Sequence, residues 1–179
     1  AHTIRQPIVA AGSTLVVPSR DGKIYAFNAQ RSEIIWERAV GHFGDRVSDL
    51  CVVGNEIVLG TVTGEVTAIS TRSGESRWIV RADSSIVAAP AASADGRLVA
   101  VGTTNGSVLL IDNQSGKSIA RIPTENEILA APIFLGDLLV IGSTDNNLYG
   151  YSVRDRSIKF VWELTDDILQ LLPLTKSSL

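Results

Sequence analysis

The side chains of this sequence with the most direct chemical reach are two histidines, His2 and His42, one cysteine, Cys51, and the aspartates Asp21, Asp95 and Asp145. A nucleophilic site needs a thiol or hydroxyl with a base beside it, and a hard-cation site needs several convergent carboxylate or amide oxygens. Cys51 stands between Leu50 and Val52, the setting of a buried thiol. Being alone, it excludes an intramolecular disulfide and a multi-cysteine zinc centre. Neither histidine stands in a constellation of the kind nucleophilic catalysis needs, and His42, in Gly41-His42-Phe43-Gly44, reads as an exposed loop residue. The three aspartates sit in Asp-Gly or Asp-Asn pairs, where turn geometry accounts for them. Gly102 to Gly106 has no following lysine and so is not a phosphate loop. Asn105-Gly106-Ser107 and Asn113-Gln114-Ser115 match glycosylation sequons, but such short patterns arise readily by chance. No catalytic, cofactor or metal residue is assigned.

Trp36, Trp78 and Trp162 invite a stacking role, since indole rings lie flat on quinones and bases. Their spacing points elsewhere. Trp36, Trp78, Ala120 and Trp162 follow one another at 42 residues each time. The segments Arg20-Asp21-Gly22-Lys23, Val62-Thr63-Gly64-Glu65, Thr104-Asn105-Gly106-Ser107 and Thr144-Asp145-Asn146-Asn147 recur at 42, 42 and 40 residues. Pro7, Asp49, Pro90 and Pro132 recur at 42, 41 and 42. A sustained period of this length marks a repeat architecture. A tryptophan recurring with it is expected to lock one unit to the next, buried between them.

The elements inside each unit are strands. Ile8-Val9-Ala10, Leu15-Val16-Val17, Ile24-Tyr25-Ala26-Phe27 and Ile34-Ile35-Trp36 are short apolar runs divided by turn residues. Runs this short and rich in Val and Ile favour strands over helices. Asp21-Gly22 and Asn105-Gly106 are strong hairpin signals. Four strands per roughly 42 residues is the arithmetic of a propeller blade. The apolar runs are continuous because a blade is covered on both faces by its neighbours. The expected fold is all-β, four blades of four antiparallel strands, with repeats at about 4–41, 45–83, 86–125 and 128–166. Residues 168–179 read as the start of a fifth unit. A helix capped at Thr165 or Asp166 is the alternative there, interrupted by Pro173.

A net charge of −3 and a pI near 5.4 argue against a nucleic-acid partner, which wants a clustered basic surface. No apolar run approaches the roughly 20 residues that span a bilayer as a helix. The chain starts without methionine or a signal-peptide pattern, so the expectation is an excerpt of a longer propeller or a processed chain. Its open ends would be covered by further blades, a second copy or another subunit, unless a fifth strand closes a small ring.

At the connection between third and fourth strands the pattern becomes family-specific. Ala26 to Trp36 and Ala68 to Trp78 resemble the tryptophan-docking motif of the quinoprotein (PQQ-like) propellers, Ala-x-Asp/Asn-x-x-Thr-Gly-x-x-x-Trp. The third copy keeps Asp112 and Ser115-Gly116 but has Ala120 at the tryptophan place. The fourth, Gly150 to Trp162, reads as carrying two extra residues. The resemblance implies seven or eight blades, an extracytoplasmic location, and either a quinone-dependent dehydrogenase or a cofactor-free scaffold of the outer-membrane barrel-assembly type. A dehydrogenase of the family would need calcium ligands, a catalytic aspartate and commonly paired cysteines, which points this segment away from an enzyme and towards no cofactor.

The connections leading into each innermost strand are acidic: Asp45 and Asp49, Asp83, Glu125 and Glu127, Asp166 and Asp167. In a propeller these crowd one mouth of the channel and form an expected interaction rim, while the opposite turns lean basic through Arg31, Arg72, Lys117, Arg154 and Arg156. The function expected is a non-catalytic scaffold that binds a protein partner through its loops and channel mouth. The alternatives are an excerpt of a quinone-dependent oxidoreductase with its catalytic blades elsewhere, and a ligand-sensing or carbohydrate-binding propeller.

Overall fold

The computed structural model describes residues 7–19, 22–40 and 47–164. The first four strands are β1 (Val9–Ala11), β2 (Thr14–Pro18), β3 (Lys23–Asn28) and β4 (Glu33–Ala39). The next are β5 (Cys51–Val53), β6 (Glu56–Gly60), β7 (Glu65–Ser70) and β8 (Ser76–Arg81). Then come β9 (Ala91–Ala92), β10 (Leu98–Thr103), β11 (Ser107–Asp112) and β12 (Lys117–Pro123). The last are β13 (Ile133–Leu135), β14 (Leu138–Gly142), β15 (Asn147–Ser152) and β16 (Ser157–Glu163). Each group of four is its own antiparallel sheet with its strands in sequential order, and no helix occurs among the described residues. This is the expected all-β architecture of propeller blades. Ala10 of β1 pairs with Leu15, so the first blade supplies its own innermost strand. The expected fifth repeat, with Leu171, lies outside the described residues.

Among the described residues, three buried clusters join the four blades. The first two blades share Val16, Ile24, Leu50, Ile57, Leu59 and Ile69. The second and third meet through Val58, Val66, Trp78, Val99, Leu109 and Ile111. The third and fourth meet through Val108, Leu110, Ile122, Leu139, Tyr149 and Tyr151. Alternate residues of one middle strand therefore serve two interfaces: Val108 and Leu110 look towards the fourth blade, Leu109 and Ile111 towards the second. That is why the strands are apolar throughout rather than on one face.

Two devices recur with the repeat. A bulge interrupts the pairing of each third and fourth strand at Ala26/Phe27, Ala68/Ile69, Leu110/Ile111 and Gly150/Tyr151. It bends the outer strand and re-aims its side chains. The other device anchors the linker between blades. Ile86 and Ile128 are fully buried over Gly60 and Gly102, where a β-carbon would come within 2.6 and 2.8 Å of the isoleucine Cβ atoms. Their backbone amides donate to the Thr61 and Thr103 carbonyls at 3.0 and 3.1 Å. The linker is thereby pinned to the blade it leaves before it enters the next.

Candidate functional site

Two tryptophans tie one blade to the next. The Trp36 indole N–H donates to the Thr71 carbonyl at 2.9 Å, and Trp78 makes the same bond to Asn113 at 2.8 Å. Each indole lies on a turn glycine of the following blade. A β-carbon on Gly74 would stand 2.7 Å from Trp36 Cδ2, and one on Gly116 would stand 2.7 Å from Trp78 Cγ. Both glycines also hold positive φ, 74° and 70°, a region where only glycine is unstrained. Trp78 is 8% exposed, Trp36 half-buried. Arg38 reinforces the first junction, donating to the Gly74 carbonyl and the Ser76 hydroxyl, both at 2.6 Å.

Trp162 departs from the expected burial between blades: it is 58% exposed. The register explains the departure. Trp36 pairs with Ala26 and Trp78 with Ala68, and the residue in that place in the fourth blade, opposite Gly150, is Phe160. The fourth turn segment arrives after 40 residues instead of 42, so counting 42 overshoots by two. The fourth copy of the motif has no extra residues, and its docking position is Phe160. Trp162 stacks on that ring, centroids 4.6 Å apart.

Of the acidic rim, Asp45, Asp166 and Asp167 lie outside the described residues. Asp49, Glu125 and Glu127 are exposed on the linkers as side chains. Asp83 is not a bare anion: Arg121 on the next blade donates to it at 2.6 Å, and that bond holds its carboxyl below the ordinary carboxylate range. The sequence reasoning missed the residues beside the linker anchors. Val87 and Leu129, next to buried Ile86 and Ile128, are 44% and 36% exposed. The repeated Ile-x-Ala-Ala-Pro pattern of 86–90 and 128–132 was the available signal. An anchored isoleucine fixes the backbone, and the residue after it is left exposed on the same linker.

The turn aspartates are spent locally. Asp95 accepts from the Ser93 hydroxyl at 2.7 Å and the Arg97 amide at 3.0 Å. Asp145 accepts from the Tyr149 hydroxyl at 2.6 Å, the Asn147 amide at 2.9 Å and the Glu125 amide at 3.1 Å. Burial would raise its pKa, but those bonds together hold it below the usual value. Burial, and then Asp145 itself, push Tyr149 up to about 12. No group of three His, Cys, Asp or Glu side chains that could hold a metal ion occurs among the described residues. Asp21 and both histidines lie outside them. Burial pushes the Cys51 thiol up to about 11, against a smaller lowering by the Ala92 backbone, so it is a poor nucleophile at neutral pH.

On the face opposite the linkers, a cleft of about 550 Å³ lies between the second and third blades. Its walls include Glu56, Arg77 and Asn113. Arg77 pairs with the buried Glu56 carboxylate, which also accepts from the Asn113 side chain at 3.2 Å. Periodicity could not flag this cluster, because Glu56 is replaced by Thr14, Leu98 and Leu138 in the other units.

A family model described as outer membrane protein assembly factor BamB matches residues 2–90 and 63–179. A curated relative, outer membrane protein assembly factor BamB of Alteromonas naphthalenivorans, is 27% identical over 101 residues, covering 47% of this chain and 24% of the relative. The crystal structure of BamB from Moraxella catarrhalis superposes with a TM-score of 0.74 at 20% identity, over 89% of this chain and 51% of that one. A computationally designed protein superposes at 0.82 with 19% identity, over 96% and 52%. The chain thus spans about half the length of these solved structures, which share its fold.

Proposed function

We propose that this chain, which belongs to the PQQ-like propeller family described as outer membrane protein assembly factor BamB, is a non-catalytic scaffold segment that holds a protein partner in outer-membrane protein assembly. The mouth formed by the blade linkers is its contact surface. The observation that carries this reading is the repeated linker: a fully buried isoleucine, 86 or 128, followed by an exposed apolar residue, Val87 or Leu129. Apolar side chains on a backbone that is already fixed lose little entropy on binding. The neighbouring Asp49, Glu125 and Glu127 carboxylates favour a partner with basic groups around an apolar contact, which sets orientation and encounter rate. The work takes place at the bacterial envelope, outside the cytoplasm.

Photo-crosslinking tests this in a double-membraned bacterium that expresses the full-length protein. A photoreactive residue at position 87 or 129 is expected to capture a component of the outer-membrane assembly apparatus. The same probe at Arg72, an exposed turn residue on the opposite face, is expected to capture none. Equal capture at all three positions, or none at 87 and 129, would sink the reading. A quinone absorbance or calcium dependence in the purified protein would favour the oxidoreductase alternative instead.

A further inference from the structure

On the face opposite the linkers, each blade turns between its first two strands and again between its last two. The cleft between the second and third blades lies among those turns, and three of its wall residues depart from the repeat. Glu56 is 9% exposed where the other blades place Thr14, Leu98 and Leu138. Arg77, the residue before Trp78, is matched by Ile35, Ile119 and Lys159. Asn113 is 6% exposed, and its backbone amide donates to the Arg97 carbonyl at 2.8 Å. Ala29, Thr71 and Val153 make the same backbone bond to Ser13, Asn55 and Asp137. The turn therefore forms without a carboxamide, and a carboxylate buried where leucine serves elsewhere costs stability unless it is paired. Glu56, Arg77 and Asn113 are surplus to what makes a blade.

The unused bonding capacity of the cluster is that of an acceptor. Asn113 Nδ2 donates to Glu56 at 3.2 Å and to the Gly96 carbonyl at 3.1 Å. Both neighbours can only accept, which fixes the amide's orientation. Its buried Oδ1 is left without a donor among the described residues. The walls set two carboxylates, Glu56 and Asp95, against the single guanidinium of Arg77. The Ser93 hydroxyl is already engaged by Asp95 at 2.7 Å. Val52 and Ala92 add apolar surface, and no aromatic ring lines the cleft, as a sugar or a quaternary ammonium would want. We propose that this cleft binds a primary alkylammonium group, from a lysine side chain or a free amine. Its charged end lies at Glu56 and Asn113, and its methylenes lie along Val52 and Ala92. The Arg77 side chain is 46% exposed, so its guanidinium swings into solvent as the ligand's ammonium takes its place on Glu56. This site stands apart from the linker mouth and does not depend on the partner held there.

The test is an NMR titration of the full-length protein at low salt with butylammonium, and with butyrate as the anionic control. Circular dichroism checks that each variant keeps its β spectrum. Saturable butylammonium binding with a dissociation constant of about 1–10 mM is expected, and none with butyrate. Glu56→Gln, which leaves an acceptor for Asn113, should weaken binding at least about tenfold. Asp95→Asn, at an exposed turn, should weaken it about threefold and serves if Glu56→Gln does not fold. Arg77→Gln removes the competing cation and should tighten binding about threefold or more, the opposite of what loss of a merely structural contact would give. A blocked Ala-Lys-Ala peptide assigns the source. Binding about tenfold tighter than butylammonium upholds the site as one for a lysine side chain, and equal binding upholds it as one for a free amine. No saturable amine binding up to about 50 mM would overturn the proposal. So would butyrate binding as well as butylammonium, or weaker amine binding by a folded Arg77→Gln variant.

Discussion

Replacing Trp78 and Gly116 singly and together isolates the contact that holds the second and third blades. Trp78 is 8% exposed and makes its 2.8 Å bond to the Asn113 carbonyl. Truncating a buried tryptophan to alanine costs roughly 3–5 kcal/mol. For a chain of this size each kcal/mol lowers the melting temperature by about 2–4 °C, so Trp78→Ala should lower it by roughly 6–20 °C. Gly116→Ala adds two separate penalties. One is the φ of 70°, worth about 1–2 kcal/mol for a residue with a β-carbon. The other is the clash with the indole, at 2.7 Å from Cγ, worth about 1–3 kcal/mol if the core must shift. Only the clash depends on Trp78. In the double variant the indole's part of the clash disappears while the 2.5 Å approach to the Trp78 Cβ, an atom that alanine keeps, remains. Urea denaturation should therefore show a combined loss smaller than the sum of the singles by only part of that roughly 1–3 kcal/mol. Strict additivity would mean that the indole does not rest on that turn. As a control, Arg72→Ala, exposed on the neighbouring turn, should change stability by less than about 0.5 kcal/mol.

Three further outcomes follow from the same set of contacts. Gly60→Ala should destabilise the fold by about 1–3 kcal/mol through the Ile86 side chain, and Gly60→Ala combined with Ile86→Ala should cost less than the two changes summed in thermal melts. Asp145 has its folded pKa below the unfolded value, so its contribution is present above about pH 4 and is lost as the pH falls through the folded pKa. Acid titration of stability should therefore be shallower in Asp145→Asn than in the parent chain, and identical slopes would refute the role of its hydrogen bonds. Cys51, raised to about 11, should resist iodoacetamide at pH 7.5 in the folded chain and react once the chain is unfolded in urea, with mass spectrometry as the readout.

The blade architecture was legible in the sequence because a repeat states its own register. The innermost strands β5, β9 and β13 open at Cys51, Ala91 and Ile133, residues that the recurring turns mark out by spacing alone. Single-residue placement failed where the period itself changed. The correction to Phe160 was already present in the 40-residue step from Gly106 to Asn146 and in the ten-residue interval from Gly150, which matches Ala26 to Trp36 and Ala68 to Trp78. Exposed Trp162 drew the count past it because tryptophan is the rarer residue. The linker residues Val87 and Leu129 were hidden for a different reason. Adjacent apolar residues in a loop look equivalent in a sequence, and only the glycine facing Ile86 or Ile128 decides which one is buried. The Glu56, Arg77 and Asn113 cluster had no signal in the period, since it joins positions 21 and 57 residues apart and the counterparts of Glu56 in the other blades are Thr14, Leu98 and Leu138. Periodicity thus identifies what all blades share, which is the means of docking one blade to another. What distinguishes one blade from the next shows only when two blades are placed side by side, and that is where a scaffold carries its specificity.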